Sequence, residues 1–415
     1  MKILVVSQYF WPEFLCLNEL VKDLVKDGHE VTVLTGEPNY PSGEILESYR
    51  NNPSEYSSYF GAEIIRTKLR PRKSGGVNLV LNYSSFVVSA CLTVKRRLSK
   101  RKFDAVFVFQ SSPVTVALPA LLYKKMTGTP VFLWVQDLWP DTLSAVGFTN
   151  NKLILGAVGK LVSFIYKRCD LILCQSTHFI KNVAKYNHDN VPTEYLPNWA
   201  DDVFSLPPTC STPNYEKLDG YFDILFAGNI GDAQDFPAIL DAAEKIKGRM
   251  IRIVVVGVGS LYEWVEQQVS ERGLEGVVVL LGRHAIEYMP SFYSKADALL
   301  ATLAKKEIFT MTIPSKVQTY LAAGKPVIAM LDGVGAEVIN EAQCGIACDS
   351  GDSAALATSM IALSELDEGT LSVMGASGKS YYHENFEKNM LREKLVSIFQ
   401  NKVVSWSDIH DHGSW

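Results

Sequence analysis

An alternation that begins at residue 3 and starts again at residue 223 limits this chain more than any other feature. Short apolar runs, Ile3–Ser7, Val31–Thr35, Ala105–Phe109, Val131–Val135 and Leu171–Cys174, are each followed by turn formers and then by a helix-spaced segment. The first helix shows the spacing plainly, with Leu17, Leu20, Val21, Leu24 and Val25 on one face and Gly28 at its end. After residue 220 the pattern repeats at Asp223–Ala227, Ile251–Val256, Val277–Leu281, Ala298–Ala301 and Pro326–Met330. Runs that are apolar throughout, and joined by helices, predict strands of a parallel sheet covered on both faces. With 415 residues, the size prior and the restart together predict two consecutive open α/β domains.

The ends of these strands carry the informative loops, because ligands of open α/β sheets bind beyond the strands' carboxyl ends. In the second half the loops are glycine turns: Gly228-Asn229-Ile230-Gly231, Gly257-Val258-Gly259 and Gly282-Arg283-His284. In the first half they are Gln8-Tyr9-Phe10-Trp11-Pro12-Glu13, the turn-rich stretch from Gly36 to Gly43, and Gln136-Asp137-Leu138-Trp139-Pro140-Asp141. No G-x-G-x-x-G follows the first strand, and no G-x-x-x-x-G-K-[ST] occurs, which argues against an ordinary dinucleotide enzyme or a Walker ATPase.

One segment combines several anion-binding features. Residues 308–329 read I-F-T-M-T-I-P-S-K-V-Q-T-Y-L-A-A-G-K-P-V-I-A. A loop ends at Pro314, Ser315 is expected to cap a helix running from Lys316 to Ala323, and Gly324 supplies the left-handed stop. Free amides, a hydroxyl and a lysine in one first turn form a site for phosphate, although an ordinary capped helix has the same local sequence.

The formal net charge of −5 does not fit a nucleic-acid binder. Seven scattered cysteines read as core thiols of a reducing cytoplasm. Cys344 and Cys348 lack the second pair or nearby histidine that a zinc site needs. The N-terminus reads as a first strand rather than a signal peptide. No stretch is read as a transmembrane helix. Residues 77–94 are nevertheless apolar-rich, and they lie between two basic runs, Arg66, Lys68, Arg70, Arg72, Lys73 and Lys95, Arg96, Arg97, Lys100, Arg101, Lys102. That pattern fits a helix lying on an anionic membrane and equally a buried helix with solvated ends.

The motif set resembles the retaining nucleotide-sugar glycosyltransferases of the GT-B fold, glycosyltransferase family 4. The likeness is strongest to the bacterial O-antigen and capsule branch that includes L-fucosamine transferases. It rests on Q-Y-F-W-P-E at 8–13, G-H-E-V-T-V-L-T at 28–35, P-N-Y-P at 38–41, Q-D-L-W-P-D at 136–141, F-A-G-N-I-G at 226–231 and P-S-K-V-Q-T-Y-L-A-A-G-K-P at 314–326. The resemblance implies two Rossmann-like parallel-sheet domains facing across a cleft. The acceptor domain would be 1–200, with a linker at 201–220 within the Pro- and Ser-rich stretch from Asn198 to Asp219. The nucleotide-sugar domain would be 221–384, a C-terminal helix at 385–402 would cross back to the first domain, and 403–415 would be a tail, unstructured from Ser405.

The family's functional positions carry over unevenly. Its diphosphate-neutralising Arg and Lys fall at Asn229 and Gln234, so Lys316 and Arg283 are the expected cations. Its paired glutamates fall at Met311 and Thr319, which leaves Thr319 for the ribose and Glu307 as a substitute nearby. The resemblance places Gly228, Asn229, Gln234, Gly257, Arg283, His284, Pro314, Ser315, Lys316 and Thr319 around the donor, with His284 at the base.

Lys316 would stabilise the leaving diphosphate. Asp137 would orient the acceptor or offset positive charge on the sugar. Glu13 is a further carboxylate, more simply read as a surface residue. No metal and no resident cofactor is expected, since the nucleotide sugar is a co-substrate. The expected partners are a UDP-linked donor, with an N-acetylated deoxyhexosamine such as L-FucNAc as one candidate sugar, and a polyprenyl-diphosphate-linked sugar. The expected place is the inner face of the cytoplasmic membrane. A nucleotide-sugar 2-epimerase and a non-catalytic GT-B binding subunit share the architecture and remain open alternatives.

Overall fold

Each apolar run forms a strand because both of its faces can be covered by helices. We describe a computed structural model covering residues 1–411 except 14, 41, 73, 74, 146 and 209, with side chains described through residue 402. Lys73 of the first basic run, Pro41 of P-N-Y-P and residues 412–415 of the expected tail lie outside the described residues. The chain divides into two compact units, residues 1–197 with 389–415, and residues 198–388.

The first unit contains β1 (Lys2–Val6), α1 (Cys16–Lys26), β2 (Glu30–Gly36), α2 (Glu47–Asn51), β3 (Ser58–Tyr59), β4 (Ala62–Thr67) and α3 (Gly76–Thr93). It continues through β5 (Ala105–Gln110), α4 (Ala117–Thr127), β6 (Val131–Val135), α5 (Asp141–Ala145), α6 (Lys152–Tyr166), β7 (Leu171–Cys174), α7 (Thr177–Ala184) and β8 (Thr193–Tyr195). Its sheet runs β3-β4-β2-β1-β5-β6-β7-β8. Neighbours are parallel except β3, which pairs antiparallel with β4. The edge strands β3 and β8 have only two and three residues, too short for the periodicity to reveal.

The second unit contains β9 (Phe222–Ala227), α8 (Phe236–Lys245), β10 (Ile251–Val256), α9 (Tyr262–Glu271), β11 (Val278–Leu280), α10 (Met289–Lys295) and β12 (Ala298–Thr302). Then come α11 (Glu307–Thr310), α12 (Ser315–Ala323), β13 (Val327–Met330), α13 (Val334–Glu341), β14 (Gly345–Cys348), α14 (Ser353–Ser364) and α15 (Glu368–Asn385). The sheet order is β11-β10-β9-β12-β13-β14, all parallel. Its two faces carry separate buried cores. One is built around Phe292, Tyr320 and Leu321, the other around Phe226, Phe236 and Met360.

Both sheets reverse strand order in the middle, at β1/β5 in the first and β9/β12 in the second. These are the points where loops diverge and leave a crevice.

Three expectations change. The stretch expected to be a linker belongs with the second unit: Tyr215 stacks on Phe292 at 5.9 Å, and Asn198 O accepts from Gln318 Nε2 at 2.9 Å. The tail expected to be unstructured from residue 405 is helical to Asp411, as part of α16 (Lys388–Asp411). Within the first unit α16 is held by Phe399, 4.7 Å from the Phe132 ring, and by Arg392, whose Nε lies 2.7 Å from Asp27 Oδ2.

The third change concerns residues 77–94, part of a longer helix than the apolar stretch alone suggested. α3 continues through a wider π-type turn at Val94–Leu98. Gly76–Leu98 is therefore a 23-residue helix, long and apolar enough by length and composition to cross a membrane. One face is nonetheless committed to this unit, because Asn82, Tyr83, Phe86 and Ala90 are buried.

Candidate functional site

At the first switch point, the loops after β1, β2, β5 and β6 enclose a cavity of about 330 Å³. Its walls are mainly aromatic, with Tyr9, Tyr40, Tyr83, Trp139 and Phe148, and its polar groups are Arg72, Ser111, Ser112, Asp137 and Thr142. Asp137 follows the end of β6. Gln110, fully buried at the end of β5, donates to the Asp137 carbonyl at 2.9 Å and so joins the two strand-end loops. The carboxylate accepts from Thr142 Oγ1 at 2.5 Å and from Trp139 Nε1 at 3.2 Å. Burial raises its pKa above the usual carboxylate range, while the Thr142 and Trp139 hydrogen bonds oppose the rise. A carboxylate held by two directional donors, with a rim open to the cavity, is suited to orienting a hydroxyl.

Glu13 is not a surface residue. It is 6 % exposed, and its Oε1 accepts from the amides of Asn39 and Tyr40 at 2.7 and 2.8 Å, its Oε2 from the amide of Phe10 at 3.1 Å. Burial raises its pKa against those three amides. The carboxylate is spent on joining the loops after β1 and β2, and it does not line the cavity with Asp137. Arg66 likewise turns inward, donating to Gly36 O at 3.0 Å, to Tyr56 O at 3.3 Å and to Trp11 O, so it leaves the basic surface run. Arg101 is drawn to Glu63 at 2.7 Å. His29 meets the N-terminal amine at 3.2 Å and plays a structural part.

At the second switch point the loops are glycine turns. Gly257 has φ +148°, and a Cβ there would lie 1.8 Å from Gly228 O. The first two turns can approach this closely only while position 257 lacks a side chain. Gly228 has φ +142°, and its missing Cβ leaves room for Lys316, whose Cε would lie 2.7 Å away.

Lys316 leaves the first turn of α12 and reaches that gap. Its Nζ donates to Gln234 Oε1 at 2.5 Å and sits 3.6 Å from the Phe226 ring centroid. Thr302, at the end of β12, donates to Gln234 O at 2.6 Å and fixes the receiving loop. The Ala227 amide donates to Tyr320 Oη at 3.1 Å, which ties α12 to the end of β9. Enclosure of the ammonium pushes the Lys316 pKa down to about 7. The structure thus brings Gly228, Gln234, Gly257 and Lys316 together.

The other predicted donor residues are placed less directly. Pro314, not Ser315, is the N-cap. Ser315 is the first helical residue, exposed, with no capping bond from its side chain. Its amide and hydroxyl still lie at the positive end of a nine-residue helix. Gly324 ends that helix at φ +68°, as expected. Asn229 and Arg283 are exposed on their loops. His284 is held by a 3.0 Å contact from Nε2 to Leu281 O and lies 5.0 Å from the Phe292 ring, so its ring supports the loop. Thr319 is buried at 9 % exposure, which leaves its hydroxyl little surface for a ribose. Glu307 is exposed at the start of α11, and Met311 is half-buried.

Sequence reasoning passed over Tyr9, Tyr83, Ser112, Trp139 and Thr142 as cavity residues. Trp139 and Thr142 follow Asp137 closely, so the motif itself could have signalled them. Tyr83 sits inside a helix read only for its hydrophobicity.

Comparison with known proteins agrees with the two-unit α/β fold. Residues 221–365 match the family model described as glycosyl transferases group 1, and residues 15–199 match the glycosyl transferase 4-like domain. Among curated relatives, WcaI of Escherichia coli (strain K12), named as a colanic acid biosynthesis glycosyl transferase, is 25 % identical over 78 % of this chain and 82 % of its own length. The glycosyltransferase WbjE of Pseudomonas aeruginosa is 25 % identical over 76 % and 78 %.

Two solved structures share the fold at low identity. Sucrose-phosphate synthase of Thermosynechococcus elongatus has a TM-score of 0.74 at 13 % identity, covering 97 % of this chain and 99 % of that one. HepE of Anabaena, solved with UDP and glucose, has a TM-score of 0.67 at 16 % identity, covering 96 % and 99 %.

Proposed function

We propose that this chain, which matches the group 1 glycosyl transferase model over 221–365 and the glycosyl transferase 4-like domain over 15–199, transfers a sugar, with retention of anomeric configuration, from a UDP-linked donor to a polyprenyl-diphosphate-linked saccharide. The observation carrying the donor half is the reach of Lys316 from the start of α12 to the Gly228 turn and Gln234. An ammonium, a helix N-terminus and a glycine turn there form a cradle for a diphosphate. UDP is favoured because the HepE structure of similar fold was solved with UDP.

In the reaction the bond between the anomeric carbon and the donor phosphate oxygen breaks. The acceptor hydroxyl oxygen forms the new bond on the same face. Its proton passes to an oxygen of the departing diphosphate, so no separate protein base is required. Lys316 and the α12 amides offset the charge that grows on the leaving group, an effect worth about 3 kcal/mol per well-placed donor in a closed site. Asp137 orients the acceptor hydroxyl and offsets positive charge on the sugar ring.

The acceptor half rests on α3. Tyr83 and Leu79 face the Asp137 cavity, while Val77, Val80, Leu81, Val88 and Leu92 are exposed. Lys95, Arg96 and Arg97 follow on the same helix and are exposed. An apolar face beside cations suits the surface of an anionic bilayer.

A thermal-shift screen against UDP- and GDP-sugars, followed by NMR of the product's anomeric centre, tests the reading. Stabilisation by UDP-sugars and a product with the donor's configuration are expected. Inversion would overturn the mechanism. Conversion of the donor sugar without any acceptor would favour the epimerase, and absence of any nucleotide-sugar binding would favour a non-catalytic subunit.

A further inference from the structure

Arg72 has no role in the site described so far, although it lines the Asp137 cavity. It is half-buried, and its position is built rather than incidental. The preceding segment is clamped to α3: Asn82, fully buried, donates to Arg70 O at 2.6 Å, and Ser85 Oγ accepts from the Arg70 amide at 2.8 Å. The Arg72 amide donates to Asn39 Oδ1 at 3.1 Å. Its guanidinium lies 5.6 Å from the Tyr40 ring centroid and adjoins the Tyr9 phenol. Among the described residues no carboxylate forms an ion pair with it.

We propose that Arg72 binds the phosphate of the acceptor, so that this cavity selects a prenyl-diphosphate-linked saccharide over a neutral glycoside. This deepens the transferase reading above and rests on it. A planar guanidinium held between aromatic rings, with its donors unclaimed by a carboxylate, matches two phosphate oxygens at once. Asp137 in the same cavity repels an anion, so the phosphate sits at the Arg72 end and the reacting hydroxyl at the Asp137 end. The aromatic walls between them pack on a sugar ring. The third part of such a molecule, its hydrocarbon chain, has a track as well. α3 begins four residues after Arg72, lends Leu79 and Tyr83 to the cavity, and leaves Val77 76 % and Val80 50 % exposed outside it.

The test uses the full chain saturated with UDP and titrates farnesyl diphosphate, farnesol and inorganic pyrophosphate, read by tryptophan fluorescence, since Trp139 lines the cavity. Farnesyl diphosphate is expected to bind more tightly than farnesol or pyrophosphate alone. R72Q should weaken it at least tenfold, R72K should weaken it about threefold or more because an ammonium cannot make the paired contact, and D137N should tighten it by removing the opposing charge. K316A should leave it unchanged. Equal farnesyl diphosphate affinity in wild type and R72Q overturns the proposal. So does equal weakening by K316A, which would place the phosphate at the glycine turns, and so does pyrophosphate binding as tightly as farnesyl diphosphate. Should R72Q fail to fold, R72K takes its place, and wild-type farnesyl diphosphate affinity in R72K overturns the proposal. UDP affinity, measured first in the same titration, reports separately on the transferase reading.

Discussion

The two switch points share a topology and differ in nearly everything that fills them. Beside the β9/β12 reversal, the loops after β9 and β10 are glycine turns packed backbone to backbone, and Lys316 reaches them from the start of α12. At β1/β5 the loops carry aromatic rings, a buried carboxylate clamp at Glu13 and a cavity with Arg72 and Asp137. Bare backbone suits a ligand gripped by amides and helix dipoles. Rings and opposite charges suit a ligand with a hydroxyl to aim and a flat face to cover. One parallel-sheet scaffold therefore presents two chemically different strand-end surfaces according to what its loops carry.

The hardest blow to this contrast is G257A. A Cβ 1.8 Å from Gly228 O, at φ +148°, cannot be absorbed by a side chain moving. The second unit should lose about 3 kcal/mol or more of stability, seen as an early transition in a calorimetric melt, while the equivalent test at the first site, S112A, should change little. An unaltered melt for G257A would mean that the turns have room to spare.

K316A comes next. It should cut transfer at least a hundredfold and weaken UDP binding without lowering the melting temperature, because it removes an enclosed ammonium. Unchanged UDP affinity in a calorimetric titration would detach α12 from the donor. D137N should lower kcat about tenfold or more and leave donor affinity alone. Burial raises its carboxyl pKa in the folded state, so the fold carries a cost for keeping the group ionised. The amide variant should therefore melt at or above the wild-type temperature at pH 7. A fall in both kcat and melting temperature would make Asp137 a structural group.

The smallest effect is a pH slope. Lys316 has its pKa lowered to about 7 in the fold, so the unfolded chain binds more protons between there and the ordinary lysine value. Stability from this group rises with pH across that window. A bound diphosphate favours the charged form, so UDP affinity should fall as pH rises above about 7, and K316M should flatten that slope. A slope that survives in K316M would come from another group.

The sequence by itself determined the central strands and their parallel pairing, though not the short edge strands β3 and β8 or the antiparallel pairing of β3, together with the glycine turns and the helix that Gly324 ends. These follow from patterns a few residues long: apolar runs, 3.6-residue spacing and positions where only glycine avoids a clash. It also placed Asp137 just after a strand end and Lys316 in the first turn of that helix, as the structure has them. Only the tertiary structure decided that Glu13 is enclosed by amides of two loops, that Arg66 turns inward, and that Arg72 looks into the Asp137 cavity. It alone decided that Lys316 ends against Gln234, 82 positions away in the chain. A charged side chain carries no local mark of its partner. Whether it faces solvent or a carboxylate, an amide or a cavity depends on which distant strand ends the fold brings beside it.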